Sequence, residues 1–129
     1  MDGKLPKELL SIAKRWLEKL ELDKYELKIT VCEPDYEIEC DDSLGMVHWL
    51  DENGKLLDNE KDFDFKTFKT IWIEMTLSNF KTKKIADIEQ TLLHELLHVK
   101  YPEHRFDNMW TENKVKELVG KNYIEPTKR

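Results

Sequence analysis

The sequence has few of the residues that define several structural classes. Among 129 residues there are only two cysteines, four glycines and four prolines. Two cysteines are too few for a zinc ribbon, and Cys32 and Cys40 are too far apart for a CxxC redox motif. We therefore expect two ordinary thiols in a reducing compartment.

Long apolar runs are also missing. No segment approaches the roughly 18 consecutive apolar residues of a transmembrane helix. The first ten residues, "MDGKLPKELL", lack the apolar core of a signal peptide. These absences predict a cytoplasmic protein that has no membrane partner.

An excess of positive charge is absent as well. The formal net charge is −6, which gives no general reason to expect a nucleic-acid partner. Charged residues make up 37% of the chain and apolar residues 40%, so an ionic surface can enclose an apolar core. The length suits a single domain over residues 1–129.

Hydrophobic periodicity predicts an α+β fold. The predicted helices cover residues 5–20, 85–100 and 108–119, and the predicted strands cover residues 24–31, 44–50 and 68–77. The buried stripe predicted for the second helix consists of Ile85, Ile88, Leu92, Leu96 and Val99. We expect a small mixed sheet of three strands, or slightly more, packed on the N-terminal helix and the second helix, with a short C-terminal helix after them.

The densest chemical signal is "TLLHELLHVKYPEH", residues 91–104, which contains three of the four histidines. His94 and His98 are four residues apart and therefore lie on one face of the predicted helix. Glu95 is rotated about 100° from His94 around the helix axis, so it can approach a metal-bound water without being a ligand. The His-Glu-x-x-His pattern thus predicts two metal ligands and a general base.

These three residues suffice for amide hydrolysis. Zinc lowers the pKa of a bound water towards about 7. Glu95 can take the proton as the water attacks a carbonyl and later pass it to the leaving amine. We predict a zinc metalloendopeptidase that uses Zn²⁺, with Glu95 as the catalytic base and a peptide or an unstructured protein as substrate.

The segment "HELLHVKYPEH" resembles the active site of compact zincin metallopeptidases, namely the archaeal minigluzincins and the SprT/WLM-type proteins. The likeness extends from residue 44 to residue 119. In such families the strand before the motif helix borders the cleft and an extended substrate pairs alongside it. The resemblance therefore implies that Trp72 and Glu74 lie near the substrate.

A catalytic zinc site generally has three protein ligands and a water. His104 lies six residues after His98, the offset at which WLM-type proteins and metzincins supply a third histidine. Unlike metzincins, this chain has Tyr101 rather than glycine in the turn. Glu112 is the alternative, because it shares a face of the last helix with Val115 and a gluzincin takes its third ligand from that helix. We predict His104 and keep Glu112 open.

The resemblance also leaves the activity of the isolated chain open. Minigluzincin-like proteins can be latent, with their own tail or a neighbouring subunit in the cleft. This implies self-association or an inhibitory role for residues 120–129, and the alternative is a flexible, frayed tail.

Two other functions stay open. One is a metal-binding module without catalysis. The other is an RNA hydrolase of the YbeY type, which resembles this segment in its three histidines but lacks the glutamate after the first one. The fourth histidine, His48, is a minor candidate for a ligand or a transition-state donor.

Overall fold

The structure is a computed structural model of the chain, and it describes residues 5–32, 43–57, 68–82 and 84–129. The helices are α1 (Leu9–Lys19), α2 (Ile85–Lys100) and α3 (Asn108–Val119), and the strands are β1 (Glu26–Val31), β2 (Gly45–Leu50) and β3 (Thr70–Met75). Short 3₁₀ turns follow α2 and α3. The predicted α+β fold is confirmed.

Strand β3 lies in the middle of the sheet, parallel to β1 and antiparallel to β2. The sheet is therefore mixed, as predicted. Because both edges of β3 are paired, the expectation that an extended substrate pairs alongside this strand is wrong. That Trp72 and Glu74 lie near the substrate stays a prediction. Strand β3 follows β1 and β2 in the sequence but lies between them in the sheet. The order of the strands along the chain does not indicate this arrangement.

One face of β3 forms part of the core. Ile71, Ile73 and Met75 are fully buried there, whereas Trp72 and Glu74 on the other face are half-buried. This alternation matches the sequence pattern of the strand. The core is completed by apolar side chains of α1 and α2.

Helix α2 is the central element, because it packs against α1, α3, β2 and β3. It buries Leu93 and Leu97 in addition to the predicted stripe. Ile85 in the first turn is 39% exposed, so its assignment to the buried stripe is wrong. Ile88, in the same turn, is fully buried, so the buried stripe begins three residues later than predicted.

Gly45, the first residue of β2, allows that strand to lie close to α2. A Cβ atom at this position would lie 3.2 Å from Cγ2 of Thr91 and 3.3 Å from the carbonyl oxygen of Glu74. A side chain here would require these neighbours to shift by a few tenths of an ångström. The missing side chain thus keeps the start of β2 beside the turn of α2 that carries His94.

Two observations bear on the predicted compartment. Cys32 is disulfide-bonded, so the expectation of two free thiols is wrong; Cys40 lies outside the described residues. Disulfides are rare in reducing compartments, which weakens one reason for placing the chain in the cytoplasm. No helix in the described part of the chain is long and apolar enough to cross a membrane.

Adjacent leucines of α1 provide a matched test of the core. Leu9 is 1% exposed and Leu10 is 60% exposed. We expect Leu9→Ala to lower the free energy of unfolding by about 2–5 kcal/mol, because it leaves a cavity, and Leu10→Ala to change it by less than about 0.5 kcal/mol. Urea denaturation of the chelator-treated protein measures both. Equal losses would contradict the packing of α1.

Candidate metal centre

The two predicted histidine ligands face each other on α2. Nε2 of His94 lies 3.0 Å from Nε2 of His98, and the two rings meet edge to face at 86°. A tetrahedral zinc ion with bonds of about 2.0–2.1 Å would hold two nitrogens roughly 3.3 Å apart. The observed separation is close to this value, so one ion could contact both rings after a small adjustment.

Glu95 completes a group of potential ligands. One ligand atom each from His94, Glu95 and His98 lie within 4.8 Å of one another. No other such group exists in the part of the chain that the structure describes. The helix therefore presents a cluster of two imidazoles and a carboxylate that could hold a metal ion.

Helix α3 brings Glu112 against the same helix, on the far side of His94. Oε2 of Glu112 lies 2.6 Å from Nδ1 of His94. The carboxylate also accepts hydrogen bonds from Tyr123 Oη at 2.7 Å and from both terminal nitrogens of Arg129, at 2.8 and 3.2 Å. Glu112 thus contacts the imidazole nitrogen that does not face His98.

The C-terminal segment, residues 120–129, returns to this site. Gly120 ends α3 with a φ of 65°, a conformation that glycine adopts readily. Gln90 of α2 then donates to the carbonyl oxygen of Asn122 and accepts from the amide of Ile124, both at 2.8 Å. Arg129 is only 2% exposed. The segment therefore packs against α2 and α3.

Sequence reasoning missed two of these contacts. Arg129 lies in the polar stretch "TKR", which predicts a solvated end. Gln90 precedes the histidine motif by one helical turn and carries no signal of its own. Only the return of the chain onto α2 makes these residues part of the site.

His104 lies outside the group formed by His94, Glu95 and His98. Its ring stacks on Trp110 with a centroid separation of 3.7 Å and an interplanar angle of 8°. It belongs to the 3₁₀ turn Pro102–His104 that follows α2. Its role as third ligand stays a prediction.

His48 also has other contacts. Its Nε2 lies 2.7 Å from Oε1 of Glu74, and its ring is tilted against Trp72 with centroids 4.8 Å apart. The three residues share one face of the sheet, since His48 is paired with Trp72 in the antiparallel register. His48 is not a member of the metal-ligating group.

Burial makes the carboxyl of Glu95 a weaker acid than usual by raising its pKa. The loss of hydration raises the pKa of its carboxyl to about 7, although His94 and His48 lower it by their charge. A carboxylate with a pKa near neutrality can both accept and release a proton at physiological pH. This is the property that a general base requires.

The pKa values of two neighbouring groups, His98 and Glu112, are lowered rather than raised. Burial and the charge of His94 lower the pKa of His98 to about 4, so this imidazole is neutral at pH 7 and keeps a lone pair for a metal. Burial alone would raise the pKa of Glu112, but hydrogen bonds from His94, Arg129 and Tyr123 hold it at about 2. Glu112 is therefore a permanent anion.

A cavity of about 320 Å³ opens onto this cluster. His94, Glu95 and Glu112 line one side, and residues 43–45 at the start of β2 line another. Residues 126, 127 and 129 of the C-terminal segment form a third part of the wall. The cluster is therefore buried but reachable by a small group.

Comparison of the chain with protein-family models, with curated proteins and with solved structures found no match. The resemblance to zincins accordingly depends on the residues of the His-Glu-x-x-His segment and on their geometry.

The acidity of Glu95 predicts how stability varies with pH. Its pKa is higher in the folded chain, about 7 against an ordinary value of 4.5, so the folded state binds the proton more tightly. Charging this carboxyl therefore costs stability as the pH rises from about 4.5 to about 7. We expect Glu95→Gln to be more stable than the wild type by up to about 3 kcal/mol at pH 8, and by little of this amount below pH 4.5.

Urea denaturation of chelator-treated protein across pH 4–8 measures this difference. Glu103→Gln, at an exposed position, controls for the removal of one negative charge. If both variants follow the same pH dependence, burial is not the cause.

Proposed function

We propose that the protein is a zinc-dependent metallopeptidase that hydrolyses peptide bonds, with His94 and His98 as ligands and Glu95 as the general base. The observation that carries this proposal is the approach of the two Nε2 atoms to 3.0 Å beside a buried carboxylate with a pKa of about 7. The substrate class is peptides or unstructured proteins.

The residues present fit a zinc ion. Imidazole nitrogen is a preferred ligand of zinc. His98 is neutral, and Nδ1 of His94 is engaged by Glu112, which leaves Nε2 of each ring for the ion. When bound, zinc polarises a carbonyl and lowers the pKa of water towards about 7. The third protein ligand stays a prediction, His104 or alternatively Glu112.

Glu95 carries the proton in the proposed reaction. Its carboxylate takes a proton from the water that attacks the scissile carbonyl. It then gives this proton to the departing amine, so that an amine and a carboxylic acid leave the site. The pKa of about 7 belongs to the metal-free site, and the charge of a bound zinc ion would lower it. Glu95 would then be ionised at neutral pH and able to accept the proton.

The outer edge of β2 supports an extended peptide as substrate. The amide of Thr76 donates to the carbonyl oxygen of Leu44 at 2.9 Å. Hydrogen-bonded positions alternate along an antiparallel pair, so Met46 also bonds to β3. The backbone N–H and C=O groups of Gly45 and Val47 therefore point away from β3. A peptide can add to such an edge through main-chain hydrogen bonds. Gly45 also lines the cavity, so a peptide here would reach the cluster.

These features favour a peptidase over an RNA hydrolase. The histidine motif contains Glu95, and the net charge is −6, which repels a phosphate backbone. A non-catalytic metal-binding module would use the same two histidines, but it would not need Glu95 as a base with a pKa of about 7. The peptidase and the metal-binding module differ in whether the zinc-loaded wild type cleaves a substrate.

Substitution of Glu95 tests the reaction. We expect Glu95→Gln to retain zinc, measured by mass spectrometry, but to lower kcat/KM on an unfolded protein by about 10²–10⁴-fold, because the proton acceptor is gone. Glu103→Gln, which removes an exposed carboxylate, should behave as wild type. Activity of Glu95→Gln within tenfold of wild type would overturn the mechanism, and a wild type that takes up no zinc would overturn the site.

A latent form is proposed from the position of the C-terminal segment in the cavity wall. Pro126→Ala together with Thr127→Ala trims this wall and leaves Arg129 unchanged. If the segment obstructs the substrate, this variant should cleave an unfolded protein severalfold faster than wild type. An unchanged rate would count against latency.

A further inference from the structure

A partly buried chain of hydrogen bonds connects Arg129 and Tyr123, through Glu112, to His94. We propose that Glu112 is a positioning residue, which accepts the Nδ1 proton of His94 and thereby aims the Nε2 lone pair at the metal, while Arg129 and Tyr123 hold Glu112 in place. This inference depends on the proposed zinc site and excludes the alternative in which Glu112 is the third ligand, but it does not depend on peptidase activity.

The position of Glu112 relative to the ring distinguishes this role from that of a ligand. Its Oε2 contacts Nδ1 of His94 at 2.6 Å, whereas the metal-facing nitrogen is Nε2, which lies 3.0 Å from His98. The two nitrogens point in different directions from the ring. The group whose ligand atoms lie within 4.8 Å of one another accordingly includes His94, Glu95 and His98 but not Glu112.

The hydrogen bond to Glu112 fixes the tautomer of His94. A neutral imidazole carries one N–H, and a carboxylate can only accept. The proton therefore lies on Nδ1, and Nε2 carries a lone pair. Metal-bound histidines commonly donate their other N–H to a carboxylate in this way, which orients the ring and increases its basicity.

Glu112 has little capacity left to bind a metal. A carboxylate has about four lone-pair sites. Four donors surround this one: Nδ1 of His94, Oη of Tyr123, and Nη1 and Nη2 of Arg129. Bidentate contact with a guanidinium is among the stronger and more directional arrangements available to a carboxylate. Coordination of a metal would require at least one of these donors to leave.

Arg129 is itself held firmly. Its Nε donates to the carbonyl oxygen of Ile124 at 3.0 Å, and Nη2 lies 3.5 Å from Oε1 of Gln90. The side chain is 1% exposed. A buried guanidinium needs a partner anion, and Glu112 is that partner. The C-terminal segment thus sets the position of a residue that contacts a metal ligand.

His98 provides an internal comparison. Its Nδ1 is buried and has no hydrogen-bond partner among the described residues. No carboxylate orients this ring as Glu112 orients His94. Loss of Glu112 should therefore change the tautomer of His94 directly, and that of His98 only through the contact between the two Nε2 atoms.

The test compares Glu112→Ala with Glu117→Ala, since Glu117 lies on the same helix with a side chain 68% exposed. Imidazole ¹⁵N NMR of the zinc-free protein reports the tautomer of His94, and competition with a chelating dye reports zinc affinity. We expect Glu112→Ala to lose the fixed Nδ1–H of His94 and to bind zinc about 10–100-fold more weakly, whereas Glu117→Ala matches wild type.

Two further variants keep the test valid if Glu112→Ala unfolds. Glu112→Gln keeps an acceptor without the charge, and Tyr123→Phe removes one hydrogen bond to Glu112; each should weaken zinc binding by less than Glu112→Ala would. The visible spectrum of the Co²⁺-loaded protein should keep its shape in both variants, because the ligand set is unchanged.

The proposal is overturned if the Co²⁺ spectrum of Glu112→Gln shows a changed coordination geometry, since Glu112 would then be a ligand. It is also overturned if Glu112→Ala and Glu117→Ala bind zinc equally well. A wild type that binds zinc with His94 in the expected tautomer but cleaves no peptide would refute the proposed peptidase and leave this inference intact.

Discussion

The burial of helix α2 is the constraint on which the rest of the structure depends. This helix buries Leu92, Leu93, Leu96 and Leu97 against the sheet and the other helices. In the same two turns it carries two histidines and a glutamate. Ionised groups are costly in such surroundings unless they are paired or change their protonation. The remaining features of the site follow from how each of these side chains meets that condition.

The three groups meet it differently. For Glu95 the effect of burial is the largest, so its pKa rises to about 7. The pKa of His98 falls to about 4, so this imidazole is neutral. His94 instead donates to Glu112, whose charge is stabilised by Tyr123 and Arg129. A carboxyl group of raised pKa, a neutral imidazole and an imidazole hydrogen-bonded to a carboxylate thus arise from one stretch of helix. Their different surroundings, rather than their chemical types, separate the proposed roles.

The surroundings come from parts of the chain that are far apart in sequence. Gly45 lets β2 approach α2 on one side of the cavity, and the C-terminal segment covers another side through Gln90 and Arg129. The start of β2 and residues 126, 127 and 129 of the C-terminal segment therefore adjoin the same cluster. The wall of the cavity and the surroundings of His94 are coupled through this segment, because Arg129 lines the cavity and donates to Glu112.

The sequence by itself determined the elements and the spacing within them. The predicted bounds of α2 and α3 coincide with those observed, since helical periodicity and the breaks at Pro102 and Gly120 are local properties. The separation of four residues places His94 and His98 on one face for the same reason. The tertiary structure decided that β3 lies between β1 and β2, that Cys32 is disulfide-bonded, and that Arg129 reaches Glu112. These outcomes depend on contacts between segments distant in the chain, whose energies no local pattern records.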